Sequence, residues 1–301
     1  MYPGKGAQVK RSLLIKITLL TLVFTLGFFY IQHRNTVHQR LKLLIKKDST
    51  NIVTIKPEAP APATPAPGKT IYLTFDDGPN KGTQNVLDII NAEQLPATWF
   101  VIGEHVYGSR HQANVYDSIR KSAFVELANH SFTHAQHNKF SGFYAKPDVV
   151  LEDFKRCADS LKFSSDIVRT PGRNIWRVDS IRHSDNPHSI AAADSLEKNG
   201  YTVMGWDLEW HFTHQLQAIQ SSEQMVSQID SMFAHNRTRT ANHLVLLAHD
   251  QVYSNAKDSA SLHRLLSLLK AKGQYQFAFI NRYPGIEKKT TTGNSGKKKK
   301  A

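Results

Sequence analysis

Two histidines four residues apart and two adjacent aspartates are the side chains in this sequence best suited to chemistry. On a helix beginning at His130, the imidazoles of His130 and His134 would project from one face and could grip a single ion. Asp76 and Asp77 offer one carboxylate ligand with a second carboxylate beside it. Two histidines and one carboxylate leave coordination positions open for water and substrate, the pattern of a catalytic rather than a structural metal. Neither pair is specific alone. An HxxxH pair commonly lies on a surface, and adjacent aspartates ahead of Gly78-Pro79 commonly build a turn. Three further polar segments join them: Arg169 to Gly172, Trp206 to Trp210, and His249-Asp250.

The elements that must position these residues alternate. Short β-rich runs fall at 70–75, 97–102, 124–128, 167–169, 201–206, 244–248 and 276–280. Helix-period stretches lie between them at 83–93, 111–121, 147–162, 189–199, 222–235 and 259–272. The last of these is the clearest, because Leu262, Leu265, Leu266 and Leu269 repeat at helical spacing and Gly273 ends the run. Such alternation predicts parallel strands joined by crossover helices, in a barrel, whole or incomplete, or an open doubly wound sheet. Each of the five polar segments follows a strand. In a β/α barrel those positions share the C-terminal face, where active sites are built.

TFDDGP at 74–79, ELANHSFTH at 126–134, RTPG at 169–172, WDLEW at 206–210 and LLAHD at 246–250 together resemble the five ordered motifs of the polysaccharide deacetylases. This is the NodB-homology domain, carbohydrate esterase family 4. The resemblance implies an α/β fold, a distorted (β/α) barrel of about seven parallel strands, over residues 69–286. It implies metal-dependent hydrolysis of a non-peptide carbon–nitrogen bond, removing N-acetyl groups from amino sugars, with O-acetyl groups the substrate in some members. By position, Asp77, His130 and His134 would hold the metal, Zn2+ in the first instance with Co2+ or another divalent ion as alternatives. Asp76 would be the general base, with Arg169 holding it ionised and oriented, and His249 the general acid. Leu246 would line an acetyl-methyl pocket with a tryptophan of the fourth motif, Trp206 or Trp210, near Pro171. A carboxylate beside His249 would raise its pKa and fix its tautomer. Asp207 is the first candidate for that carboxylate and Glu209 the second. The third motif departs from the usual pattern, since Gly172-Arg173 follows the proline where an aromatic is common, and Trp176 is the nearest replacement. The long segments 173–187 and 209–220 are read as subsite walls. His105, His111, His137, His188 and His263 belong to no motif and are read as surface residues.

Charge separates the catalytic segment from the ends. The chain of 301 residues carries a formal net charge of +13. Residues 1–56 hold ten basic and one acidic side chain, and residues 287–301 hold six and one. The stretch 57–286 is left with 22 basic against 23 acidic side chains, so the excess says little for nucleic-acid binding by the folded part. Residues 12–31 are twenty mostly apolar residues, long enough to cross a bilayer as a helix. They predict a single-pass anchor in the cytoplasmic membrane, with the catalytic segment on the periplasmic or extracellular side. Basic residues on both flanks leave that orientation unsettled by charge alone. The expected organisation is a stub and anchor at 1–32, and a basic stalk with a Pro/Ala-rich spacer at 33–68. The catalytic domain at 69–286 and a Lys-rich tail at 287–301 complete it. The lone Cys157 allows neither an internal disulfide nor a thiolate-rich metal site. Other classes stay open at this stage: a tethered glycan-binding protein without catalysis, a deacylase of a lipid-linked sugar, and an iron oxygenase or phosphoesterase using the same ligands.

Overall fold

The computed structural model describes residues 68–286. The proposed anchor, stalk and tail lie outside the described residues. Among the described residues no helix is long and apolar enough to cross a membrane. Ten strands form one sheet: β1 (Lys69–Asp76), β2 (Ala97–Val101), β3 (Val125–Asn129), β4 (Ile167–Val168), β5 (Ile175–Val178), β6 (Ile181–Ser184), β7 (Thr202–Val203), β8 (Leu208–Glu209), β9 (His243–His249) and β10 (Tyr275–Phe277). Their order is β6-β5-β7-β4-β3-β2-β1-β9-β8. β10 pairs with the start of β1 at Lys69–Ile71, and β2 pairs with its end at Leu73–Asp76.

The seven expected strands are present and mutually parallel, and β8 adds an eighth. The sheet does not close, however, and forms an open, curled half-barrel. Segment 173–187 supplies the unexpected part. It folds into the antiparallel hairpin β5–β6, which joins the sheet by antiparallel pairing of β5 with β7. It therefore extends the sheet rather than walling a subsite.

Helices at Thr83–Glu93, Arg110–Lys121, Pro147–Leu161, Ile190–Lys198, Ser222–Ala234 and Ala256–Ala271 follow the expected positions. Three of their starts are chemically marked. Ser109 and Asn255 accept N-cap hydrogen bonds, and Ser221 forms a capping box with Gln224. Their apolar stripes, including Val86, Ile90, Met225, Ile229 and Leu265, pack against the outer sheet face. Each such leucine-sized side chain contributes about 1.5–3 kcal/mol on burial.

Strand periodicity sorts the rest. Along β1, Ile71, Leu73 and Phe75 join this outer core, and Tyr72 joins an inner cluster with Phe100, Trp176, Val245 and Tyr283. Along β9, Leu244, Leu246 and Ala248 face outward with the same alternation. Register then brings the C-terminal strand ends level. Asp76 pairs with His249 and Phe100, Val101 pairs with Asn129, and Asn129 pairs with Val168.

Candidate active site

A cleft of about 570 Å³ opens over those strand ends. Asp76, Asp77, His130, His134, Trp206, Glu209 and His249 all line it, so four of the five polar segments converge there through side chains named in advance. The third segment reaches the cleft surface only at Gly172, while Arg169 lies buried beneath.

Asp76 ends β1 and is 2% exposed. Arg169, fully buried, donates from one terminal nitrogen to Asp76 Oδ1 at 2.8 Å and to Thr74 Oγ1 at 2.8 Å. Its other donors reach the carbonyls of Met204 at 3.1 Å and Gly205 at 2.9 Å, and its guanidinium lies 4.0 Å from the Phe100 ring centre. The pair is desolvated, yet the guanidinium makes four directed hydrogen bonds, which makes a buried ion pair tenable. Burial lowers the Arg169 pKa and Asp76 opposes that shift. Asp76 Oδ2 is turned the other way, 3.7 Å from His130 Nε2.

Asp77, His130 and His134 place three ligand atoms within 4.8 Å of one another. Asp77 Oδ1 lies 3.4 Å from His130 Nε2 and 3.2 Å from His134 Nε2. The far side of each ring is engaged: His130 Nδ1 faces the Arg169 carbonyl at 2.9 Å, and His134 Nδ1 faces Asn138 Oδ1 at 2.5 Å. A carbonyl only accepts, so Nδ1 carries a proton, and in the neutral imidazole each Nε2 turns a lone pair inward. Asp77 Oδ1 is buried and makes no hydrogen bond. Three acceptors pointed at one another with no donor between them fit a divalent cation. Without one, a proton is the only substitute. Burial would raise the Asp77 pKa, but His130, His134 and His249 hold it well below the usual carboxylate range. Burial would lower His134, and Asp77 raises it instead.

The two histidines do not share a right-handed helix face, as their spacing suggested. His130 follows β3 directly, Ser131 has φ 68°, and His134 to Asn138 run through φ 49° to 66° as a left-handed turn. Asp77 itself has φ 75°. Non-glycine residues there cost about 1–2 kcal/mol each, and such outliers concentrate at functional sites. Asp153 holds this turn by accepting from Phe132 N, Thr133 N and Thr133 Oγ1 at 3.1–3.2 Å.

Five expected positions are corrected. Leu246 faces the outer core, whereas Leu247 lines the cleft beside His249. The reason is the two-residue strand period: Leu247 shares parity with His249 and Leu246 does not. Leu246→Ala is expected to cost about 2–5 kcal/mol of stability, while Leu247→Ala should chiefly lower kcat/KM of the folded enzyme. Melts and kinetics on both variants check this, and the reverse ranking would put Leu246 in the cleft. Trp176 is fully buried in the inner core against Tyr283, in a space Gly205 leaves open: a Cβ there would lie 2.3 Å from its Nε1. Trp210 is 2% exposed and donates to the Gln220 carbonyl. Pro171 is buried, and its carbonyl accepts from Tyr144 at 2.7 Å.

Asp207 is the fifth. Its carboxylate accepts from Arg239 N at 2.7 Å and Val245 N at 2.8 Å, away from the cleft lining. Glu209, the second candidate, does line the cleft, with its carboxylate 3.6 Å from His211 Nδ1. His249 Nδ1 is buried without a hydrogen-bond partner, and Phe212 packs edge-on at 4.9 Å. Burial pushes Asp207 up to about 6. A folded pKa above the unfolded value favours the protonated form on folding, so this group's contribution is full below about pH 4 and fades as pH rises through about 6. Urea melts across that window should show stability falling more steeply in the parent than in Asp207→Asn. Equal slopes would count against the assignment.

Some cleft residues carried no motif. His105, expected at the surface, is half-buried with Nδ1 2.8 Å from the Asp77 carbonyl. Glu104 and His137 pair at 3.1 Å on the rim, and Gln251 lies 3.4 Å from Asp77 Oδ2. Of segment 209–220, Glu209 and Phe212 reach the cleft. The one available signal was position, since His105 lies just beyond the C-terminal end of β2.

Residues 63–171 match the family model described as polysaccharide deacetylase. The chain is 28% identical over 225 residues to the putative polysaccharide deacetylase YheN of Bacillus subtilis (strain 168), covering 70% of this chain and 67% of that one. It is 45% identical over 147 residues to the chitooligosaccharide deacetylase of Bradyrhizobium sp. (strain ANU 289), covering 47% of this chain but only 57% of that relative. Among solved structures, the catalytic domain of peptidoglycan N-acetylglucosamine deacetylase from Eubacterium rectale ATCC 33656 matches with TM-score 0.51 and 22% identity, over 74% of this chain and 93% of that one. A Streptococcus mutans CE4 esterase matches with TM-score 0.52 and 21% identity, over 71% and 86%. At these identities the structural likeness speaks for the fold.

Proposed function

Because this chain belongs to the polysaccharide deacetylase family, we propose that it is a metal-dependent hydrolase that removes N-acetyl groups from amino sugars of an envelope or exported glycan. The observation that carries the reading is the donor-free convergence of Asp77 Oδ1, His130 Nε2 and His134 Nε2, set between Asp76 and His249 in one cleft. Asp77, His130 and His134 would hold the ion, and a nitrogen–nitrogen–oxygen donor set with open positions suits Zn2+. When bound, such an ion polarises an acyl oxygen and lowers the pKa of water.

The chain's own groups supply the proton chemistry. Asp76 Oδ1 is held by Arg169, which leaves Oδ2 as the atom that takes the proton of the attacking water. The water oxygen bonds to the acetyl carbon, and the carbon–nitrogen bond then breaks. His249 delivers a proton to the departing nitrogen, giving a free amine and acetate. Trp206, Phe212 and Leu247 border the cleft and exclude water around the acetyl group. From their apolar sequence, residues 12–31 are proposed as the membrane anchor, with the catalytic domain on the periplasmic or extracellular side.

The test is acetate release by the full chain from chitooligosaccharides, peptidoglycan fragments and lipid-linked N-acetyl sugars. Activity should vanish with chelator and return with Zn2+ or Co2+. Glycan binding without acetate release from any of them would favour a non-catalytic binding protein. A reporter fused after Pro67 tests the orientation.

A further inference from the structure

Asp250 follows the proposed general acid and takes no part in the chemistry above. It is fully buried, one residue past the end of β9, and its side chain reaches into the loop after β1. There Asp250 Oδ1 accepts from Asn80 Nδ2. Oδ2 accepts from Thr83 Oγ1 at 2.5 Å and from Trp99 Nε1 at 3.2 Å. The donors are cross-braced: Thr83 Oγ1 accepts from Asn80 N at 2.8 Å, and Asn80 Oδ1 accepts from Gly82 N at 3.0 Å. The loop also closes sterically on the same residue. A Cβ on Gly82 would lie 1.8 Å from the Asp250 carbonyl oxygen, and one on Gly78 would lie 2.6 Å from Asp250 Oδ2.

The consequence is geometric. β1 and β9 are paired in register up to Asp76 and His249, but both chains leave the sheet at the next residue. Sheet hydrogen bonds therefore no longer tie Asp77 to His249. The Asp250 network replaces them: it joins the residue after His249 to the loop that begins at Asp77. We propose that Asp250 is a positioning residue that fixes the base-and-ligand pair Asp76-Asp77 relative to His249, through Asn80, Thr83 and Trp99. Three donors from three residues are satisfied only by a carboxylate or its close mimic. Burial pushes this carboxyl up to about 7, and the hydrogen bonds from Thr83 and Asn80 oppose that shift. The assignment rests on the deacetylase reading, and its test is chosen to be separable from it.

Asp250→Asn keeps the shape but sets an NH2 group against a donor. We expect kcat to fall at least tenfold with KM within about twofold, and the Zn2+ Kd of the purified full chain to rise severalfold. Combining Asn80→Asp with Asp250→Asn reverses one hydrogen bond and restores every donor–acceptor pair, so it should recover most of both losses. Thr83→Val, which deletes one donor to Asp250 and the acceptor of Asn80 N, should show the same changes in smaller measure if Asp250→Asn does not fold. A folded Asp250→Asn protein with kcat and Zn2+ Kd within twofold of the parent overturns the proposal. So does a folded double variant no better than the single one. If the parent releases no acetate from any substrate, the deacetylase reading fails by itself, and the Zn2+ Kd series still decides the role of Asp250.

Discussion

Asp76→Asn is expected to reduce acetate release by about 10²–10⁴-fold, the usual worth of a positioned general base, while leaving Zn2+ affinity within about threefold. Asp77→Asn should do the opposite first: it should weaken Zn2+ binding severalfold or more, with activity falling for want of metal. The two carboxylates are the same residue type and adjacent in sequence, so the sequence does not separate them. Geometry does. Asp77 Oδ1 sits 3.2–3.4 Å from both Nε2 atoms, whereas Asp76 is committed through Oδ1 to Arg169 and turns only Oδ2 toward the cleft. The amide in Asp76→Asn can still accept from Arg169 through its oxygen, so the variant should fold. Calorimetric Zn2+ titration and acetate assays on both variants check the division of labour. If Asp76→Asn stripped the metal and Asp77→Asn kept it, the roles would be exchanged.

Arg169→Met should cost about 3–5 kcal/mol of stability, the expected penalty for leaving one partner of a buried ion pair uncompensated. Asp76 would be left 2% exposed with no cation beside Oδ1. Arg169→Lys should recover little, because an ammonium cannot serve Asp76, Thr74, Met204 and Gly205 at once while lying flat over Phe100. Adding Asp76→Asn to Arg169→Met should restore part of the stability and none of the activity. Urea melts of the two single variants and the double variant form the cycle that measures this. An additive double variant would mean that the two side chains do not depend on each other.

Most of the site was legible because it is written locally. Asp76, Asp77, His130, His134 and His249 occupy short motifs placed just after β-rich runs, and parallel strands bring such positions level. The helices were legible for the same reason: an apolar stripe such as Leu262, Leu265, Leu266 and Leu269 lies within about two turns. Asp207 against Glu209 was not. Both sit in WDLEW, two residues apart, and which one turns to the cleft depends on how β8 settles beside β9 and on the backbone N–H groups of Arg239 and Val245. The closure of the sheet was illegible too, because nothing in residues 173–187 announces that they will add an antiparallel hairpin to its edge.

The chemistry on offer, and the alternation that delivers it to one end of a sheet, follow from residue order. Both depend on interactions spanning a few residues: strand and helix periods, caps, and the residue types within each motif. The tertiary structure alone decided which atoms meet. It turned Leu247 rather than Leu246 to the cleft, sent Trp176 and Trp210 into the core, and wound His134 to Asn138 left-handed. It also set Asp250 among donors from Asn80, Thr83 and Trp99, some 150 or more residues away along the chain. These outcomes are sums of many weak contacts between distant segments, strong enough together to hold backbone conformations that no local preference would choose.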